Sequence, residues 1–191
     1  MKHTKTLFGA MLLLASAVSA ATNGIARITG QQTTRAKAAT NSTFIINEIM
    51  VDNTDMFLDP SLNYGAWIEI YNPTDATINL KNYYVSNDPS NPKKFHLQSG
   101  TVKPHGFANI WFDHYEANLE TQVNFKLSTE GGTVLIADAS GNILAQESFP
   151  AAISRASYAR TTDGGDTWKW TAEPTPEATN ATSTFADSQL A

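Results

Sequence analysis

The stretch Ala66–Pro73 reads A-W-I-E-I-Y-N-P and predicts a β-strand with a sharp end. Half of its residues, namely Trp67, Ile68, Ile70 and Tyr71, are aromatic or β-branched, which favours the extended conformation. Pro73 then stops the ladder, because proline has no N–H group to donate to a neighbouring strand. Side chains alternate between the two faces of a strand, so Glu69 is expected on the face of Trp67 and Tyr71.

A similar pattern of short β-rich runs extends in both directions from this strand. Short runs rich in β-branched and aromatic residues are separated by Gly, Pro, Asn and Asp, which supply turn geometry. No stretch has the period of a long amphipathic helix, so crossover helices for a parallel sheet are not expected. The pattern predicts an all-β sandwich or barrel with strands at residues 43–50, 66–72, 76–80, 83–87, 93–97, 106–112, 123–127, 132–138, 143–149, 156–160 and 167–171.

The two ends of the chain differ from this middle part. Residues 1–20 combine a basic start, an apolar run of about a dozen residues and a small-residue ending, which predicts a signal peptide cleaved after Ala20. Residues 21–42 are rich in Thr, Ala and Gln and are interpreted as a flexible linker. We expect the folded domain at residues 43–180, with the chain leaving the core from Pro174, and a disordered tail at residues 181–191.

The charge and the cysteine content of the chain exclude some classes of function. The chain has 13 basic and 18 acidic side chains, with a formal net charge of −5, and its basic residues form no cluster. Binding to nucleic acid needs clustered Lys and Arg, so nucleic acid is not an expected partner. With no cysteine, a disulfide framework and a lipid anchor on cysteine are both excluded. The apolar run is too short to span a bilayer, so we expect a secreted protein, extracellular or periplasmic.

Glu48 and Glu69 lie in the middle of two predicted strands, each flanked by apolar residues. Two neighbouring carboxyls, one with a raised pKa, could serve as the acid/base pair of a small polysaccharide hydrolase. The alternative is a structural pair of semi-buried carboxylates, satisfied by hydrogen bonds or by a cation. Arg160 is the candidate cation for one of them.

The segment Val51–Ser61 carries Asp52, Asp55 and Asp59 between two predicted strands. Oxygen ligands in a flexible loop suit calcium, although the spacing does not match an EF-hand loop. A solvated acidic turn is the alternative. Apart from this possible calcium ion, no cofactor is expected.

Trp168 and Trp170 share one face of a predicted strand and could form a binding patch, or fill the core of the sandwich. The preceding residues complete the pattern T-T-D-G-G-D-T-W at Thr161–Trp168, which fits the Asp-box of sialidase-type propellers. A single copy cannot build a propeller. We interpret it as a hairpin turn without enzymatic meaning.

In order and spacing, these landmarks resemble those of the lamin tail domain family, in the branch found in bacterial exported proteins. The motifs that carry the resemblance are I-N-E-I (46–49), W-I-E-I-Y-N-P (67–73), I-N-L-K-N-Y-Y-V-S-N-D (78–88), K-F-H-L (94–97), V-K-P-H-G (102–106), F-K-L-S (125–128), G-G-T-V-L-I-A-D-A-S-G (131–141), S-Y-A-R (157–160), D-G-G-D-T-W (163–168) and P-T-P-E-A-T-N (174–180).

The resemblance implies an immunoglobulin-like β-sandwich that is a binding or structural module and not an enzyme. The usual closing T-P-G of the family stands here as Thr175-Pro176-Glu177, so the sequence leaves open whether that turn is kept. The expected function is a non-catalytic exported module that binds a protein or glycan at the bacterial cell envelope or outside the cell. The alternatives are the hydrolase using Glu48 and Glu69, and a calcium-stabilised structural subunit.

Overall fold

Short runs of β-branched and aromatic residues form twelve strands in the computed structural model, which describes residues 43–112 and 121–186. All described residues belong to one compact unit, Ala39–Ala191. The predicted signal peptide, the linker and the last part of the predicted tail lie outside the described residues. The strands are β1 Ile45–Met50, β2 Ala66–Tyr71, β3 Ile78–Asn79, β4 Tyr84–Ser86, β5 Phe95–His96, β6 Thr101–Val102, β7 Phe107–Phe112, β8 Gln122–Val123, β9 Gly132–Ala137, β10 Ile143–Phe149, β11 Ser157–Arg160 and β12 Trp168–Thr171.

Three sheets are built from these strands. The largest has the order β12-β11-β1-β2-β7-β8, the second has the order β10-β9-β4-β5, and β3 pairs with β6. The described pairings are antiparallel except that of β7 with β8, which is parallel. Two short 3-10 helices, Leu80–Asn82 and Asn180–Thr182, complete the described structure, and no helix in it is long and apolar enough to cross a membrane.

The main core lies on the inner face of the six-stranded sheet. Ile49, Ile68 and Ile110 extend inwards from β1, β2 and β7, and they share one buried cluster with Val134 and Ile136 of β9. A separate cluster of Met50, Trp67 and Trp111 forms on the outer face of the same sheet. This arrangement confirms the predicted immunoglobulin-like β-sandwich, and it gives the six-stranded sheet two buried faces.

The predicted strands agree with the structure more closely in place than in length. Ten of the eleven predicted runs contain an observed strand, and the run 123–127 overlaps β8 only at Val123. The Asp-box forms a turn between β11 and β12, as the sequence suggested. The strand that the sequence missed is β6, Thr101–Val102, which pairs only with β3. A strand of two residues is too short to have a detectable alternation of apolar and polar side chains, so the sequence could not predict β6.

The prediction that the chain leaves the core from Pro174 is wrong. Residues 174–182, here called the C-terminal strap, fold back over the outer face of the six-stranded sheet, where Pro174 and Asn180 are buried. Part of the predicted tail is also anchored, since the Ala186 N–H donates to the Trp170 carbonyl at 2.9 Å. Residues 187–191 lie outside the described part of the chain.

Candidate binding site

A row of polar side chains crosses the outer face of the six-stranded sheet beneath the strap. Glu48 of β1 is paired in register with Glu69 of β2, and Glu69 is paired with Asn109 of β7. Both glutamates are 0% exposed, and Asn109 is 3% exposed. Three polar residues have thus been placed side by side on a buried surface, where each polar atom needs a partner.

Asn47 connects this row to the turn after β11. The pairing of β1 with β2 shifts register between Ile46 and Glu48, which leaves Asn47 as the extra residue of a bulge. Its Nδ2 donates to Glu69 Oε1 and to Asp163 Oδ1, each at 3.0 Å. Its Oδ1 accepts from the backbone N–H of Gly164 at 3.1 Å. The bulge therefore turns one side chain into a bridge between sheet and turn.

Glu48 is surrounded by hydrogen-bond donors. Its Oε1 accepts from the hydroxyl of Ser157, and its two oxygens share the backbone N–H of Thr175 at 3.2 Å. The hydroxyl of Thr175 donates to Oε2 at 3.0 Å. Burial raises the pKa of Glu48, while these donors from Ser157 and Thr175 oppose the rise. A carboxyl that accepts so many hydrogen bonds is suited to its charged form.

Glu69 has a different environment. Its pKa is raised to about 9, mainly by burial and also by the neighbouring charge of Glu48, while Asn47 and the backbone N–H groups of Glu177 and Ala178 lower it. Its Oε2 accepts no hydrogen bond within the described structure, and neither does Asn109 Oδ1 on the residue directly opposite. A proton on Oε2 relieves the buried charge and supplies a donor beside an unpaired acceptor. We therefore assign Glu69 as protonated at neutral pH, while Glu48 accepts the hydrogen bonds of Ser157 and Thr175.

The strap is held by two further polar residues. Asp163, in the Asp-box turn, accepts from the Asn180 N–H at 3.0 Å and from the hydroxyl of Thr179. Asn180 Nδ2 donates to the carbonyls of Asn47 and Arg160, at 3.2 and 2.8 Å. Sequence reasoning missed Asn47 and Asn180 as members of this network. The one signal for Asn180 was its place in the P-T-P-E-A-T-N motif.

Arg160 does not pair with either glutamate of the row, which corrects the prediction. Its Nη2 lies 2.6 Å from Glu147 Oε1, and its Nε donates to the Ile46 carbonyl at 2.8 Å. The guanidinium also lies 4.7 Å from the ring centroid of Trp168. Arg160 is thus positioned towards β10 and the turn, and the glutamates are satisfied by hydrogen bonds and protonation.

The hydrolase hypothesis required both carboxyls to line one open cleft. The structure instead covers Glu48 and Glu69 with the strap and leaves neither side chain exposed. A sugar ring cannot reach a carboxyl whose oxygens already accept from Ser157 and Thr175. The row therefore joins the sheet to the strap and offers no exposed carboxyl to a ligand.

The three aspartates proposed for calcium have separate partners. Asp52 accepts from the Thr54 hydroxyl at 3.0 Å, and Asp55 forms an ion pair with Arg155. Asp59 Oδ1 caps the loop by accepting from two backbone N–H groups, those of residues 61 and 63. Within residues 43–112 and 121–186, no three acidic or histidine side chains come together as potential metal ligands.

The proposed tryptophan pair is largely enclosed. Trp170 is 8% exposed, and Trp168 is half-buried against the main core. Tyr158 lies between them, with ring centroids 5.2 Å from Trp168 and 5.3 Å from Trp170. Of the pair that could form a binding patch or fill the core, Trp170 is buried and Trp168 remains partly exposed.

The exposed apolar surface is concentrated elsewhere, in the loop between β1 and β2 (residues 51–65). Leu58, Leu62 and Tyr64 of this loop are half to three-quarters exposed, and the only other exposed large hydrophobic residue of the described structure is Ile143 on β10. Sequence reasoning concentrated on the acids of this loop and overlooked its apolar residues. A run of acids and leucines without periodicity gave no means of deciding which side chains face solvent.

The loop is fixed from within. Asn53 is buried, and its Nδ2 donates to the carbonyls of Phe57 and Gly65 at 2.6 and 2.9 Å. Its Oδ1 accepts from the N–H groups of Met56 and Phe57 at 3.3 and 3.0 Å. Side-chain bonds to local backbone of this kind define a loop conformation without regular structure. The apolar residues are therefore presented on a preorganised surface.

Two grooves flank Tyr64 on this surface. One, of about 460 Å³, is lined by Met56, Phe57, Leu58, Tyr64, Asn109, Trp111, Pro176 and Glu177, and is here called the Glu177 groove. The other, of about 380 Å³, is lined by Val51, Asn63, Tyr64, Gly65, Ala66, Phe112, Lys126, Leu127 and Thr129, and is here called the Lys126 groove. Within the described part of the chain, each groove is lined by a single charged side chain, and the two charges are opposite in sign.

Comparison with known proteins supports the fold assignment. The model of the family described as the Lamin Tail Domain matches residues 37–150. A comparison with curated proteins found no match. The matched segment includes β1 to β10 and ends before β11, although β11 is the neighbour of β1 in the six-stranded sheet.

Proposed function

Since the chain belongs to the lamin tail domain family, we propose that it is an exported, non-catalytic binding module that holds a partner protein on the loop between β1 and β2. The family supplies a β-sandwich module whose expected role is binding or structure. Export is inferred from the basic and apolar pattern of residues 1–20. The partner is placed at the cell envelope or outside the cell for the same reason.

A single observation carries this proposal. Three of the four exposed large hydrophobic side chains of the described structure, Leu58, Leu62 and Tyr64, lie within seven residues of one loop. Scattered exposed apolar residues need no explanation, but a concentration of them marks an interaction site. Leu62 also has a φ of 65°, in the left-handed region that leucine rarely adopts. Strain of this kind at an exposed position is typical of functional segments.

The experiment compares the natural chain with two matched variants. Each protein is exported by the source cells with a C-terminal tag, cross-linked to the envelope fraction, and recovered under denaturing conditions. One variant is Leu62→Ser, in the loop, and the control is Ile143→Ser, which removes an exposed apolar residue on the other sheet. We expect a partner protein that is recovered with the natural chain and with the control, and lost with Leu62→Ser.

The outcomes separate the parts of the proposal. A product that begins at residue 21 supports export with cleavage after Ala20, whereas a product that stays inside the cell overturns it. A protein recovered equally with all three chains places the binding surface elsewhere. Recovery of polysaccharide alone assigns the module to glycans, and recovery of nothing favours a purely structural role.

A further inference from the structure

Building on the binding role proposed above, we propose that the two grooves beside Tyr64 recognise an extended peptide segment with apolar residues between one basic and one acidic side chain. The apolar residues contact Tyr64 and Leu58 in this arrangement. The basic side chain lies at the Glu177 groove, and the acidic side chain lies at the Lys126 groove.

The apolar part of this inference rests on the residues that the grooves share. Tyr64 lines both grooves and is half exposed, so one ring can contact a ligand that crosses from one to the other. The Glu177 groove adds Leu58 and Trp111, the latter on the outer face of the sheet. Aromatic and aliphatic surfaces that surround a partly exposed tyrosine are typical of sites that hold apolar side chains.

The charges expected on the peptide are complementary to the charged side chains of the two grooves. Glu177 is exposed on the strap, and no Lys, Arg or His side chain of residues 43–112 and 121–186 lines its groove. Lys126 is exposed and lines the other groove beside Tyr64, and among the residues that the structure describes no Asp or Glu side chain lines that groove. Opposite charges on the two sides of an apolar contact select both the composition and the register of a ligand. A ligand with a basic and an acidic side chain in the wrong places is repelled at both ends.

The surface is also held in one conformation, which favours selection among peptide sequences. The Asn53 side chain ties the loop at Phe57 and Gly65, and the strap that carries Glu177 is tied to Glu48 through Thr175. A surface that is ordered before binding loses little conformational entropy when a ligand arrives. This rigidity favours a defined peptide sequence over a broad range of apolar ligands.

The test starts from a displayed library of random seven-residue peptides. It is selected on the full-length chain after depletion on the Tyr64→Ala variant, so that only binders of the Tyr64 surface remain. We expect enriched peptides with one basic and one acidic residue separated by apolar residues. An enriched peptide is then synthesised in three forms, with both charges, with the acid replaced by glutamine, and with the base replaced by glutamine.

Charge reversal decides between this inference and simple apolar adhesion. Glu177→Lys should weaken the binding of the two peptides that retain the basic residue by about 3-fold. The peptide that retains only the acidic residue should bind at least as tightly as it binds the natural chain. Lys126→Glu should have the opposite pattern. Tyr64→Ala should weaken all three forms by about 10-fold, and Ile143→Ala should change none. These dissociation constants are measured by fluorescence anisotropy at low salt, where exposed charges interact most strongly.

The contrary results are distinct. Enrichment without charge preference, or equal effects of both reversals on every form, overturns the charge assignment. Enrichment of no peptide overturns recognition of a linear segment. A partner protein that is recovered with the natural chain and lost with Leu62→Ser leaves the proposed function intact in either case, so failure of this inference is separable from failure of the binding role.

Discussion

At the scale of single residues, Glu69 governs how stability depends on pH. In the folded chain it retains its proton up to a pKa of about 9, compared with the ordinary value of 4.5. The unfolded chain therefore binds fewer protons between these two values, so the free energy of unfolding falls as the pH rises. The contribution is fully present below pH 4.5 and is lost as the pH approaches 9, by at most ~1.4 kcal/mol per pH unit.

The check is urea unfolding of the natural chain and of Glu69→Gln at pH 5, 7 and 9. Because glutamine cannot ionise, the natural chain should lose stability relative to this variant at each step upwards in pH. Glu130→Gln, at an exposed position, is the control and should leave the pH dependence unchanged. Parallel curves for the natural chain and Glu69→Gln would mean that Glu69 is ionised in the fold.

The backbone conformation of Glu177 also affects the stability of the fold. It stands where the family resemblance expects glycine, and its φ of 60° shows that the turn is kept in left-handed geometry. A residue with a side chain is disfavoured in this conformation by about 1 kcal/mol, so glycine would relieve the strain. Part of this relief is offset because glycine has greater conformational freedom in the unfolded chain.

We therefore expect Glu177→Gly to raise the free energy of unfolding by about 0.5 kcal/mol. The matched control is Glu177→Ala, which removes the same carboxyl without relieving the backbone. Both are measured by urea unfolding at one pH. If alanine stabilises as much as glycine, the effect comes from the side chain and not from the left-handed backbone.

At the scale of elements, the strap is an integral part of the sandwich, and Asn180 is its main attachment. Asn180→Ala removes the donors to the buried carbonyls of Asn47 and Arg160. Each buried group left without a partner costs about 1–3 kcal/mol. The expected loss is about 3 kcal/mol in urea unfolding.

Amide hydrogen exchange gives this prediction its second measurement. The N–H of Thr175, which donates to Glu48, should exchange faster in Asn180→Ala, because the strap opens more often. Thr182→Ala, at an exposed position on the same 3-10 helix, is the control and should change neither measurement by much. Unchanged stability in Asn180→Ala would show that the strap lies on the sheet without holding it.

The strap also shows where sequence reasoning reached its limit. Strand positions followed from alternation and turn residues, because each strand buries one face against the core. The strap contains short polar residues that resemble a linker, and its contacts are side-chain hydrogen bonds to distant backbone. The same holds for Arg160, whose spacing placed it on β11 but could not select Glu147 over Glu48. Contacts that depend on tertiary arrangement have no local pattern in the sequence.

At the scale of the whole molecule, the order of strands in the six-stranded sheet defines the folding unit. The family match ends at residue 150, whereas β11 pairs with β1 in that sheet and β12 pairs with β11. Without them, β1 becomes an edge strand with an unpaired row of backbone groups. Glu48 then loses Ser157 and Thr175, so its carboxyl is left beside Glu69 without these hydrogen-bond donors.

Three chains test this dependence, ending at residues 150, 173 and 186. The chain ending at 186 should unfold cooperatively in urea, because it retains the sheet and the strap. The chain ending at 173 retains β12 but loses the strap, so we expect a fold that is weaker by several kcal/mol, consistent with the loss of the Thr175 and Asn180 contacts. The chain ending at 150 should have no cooperative transition in circular dichroism. If instead it unfolds cooperatively, β1 to β10 form a self-sufficient sandwich, and the buried row of Glu48, Glu69 and Asn109 is an addition to the fold and not a condition of it.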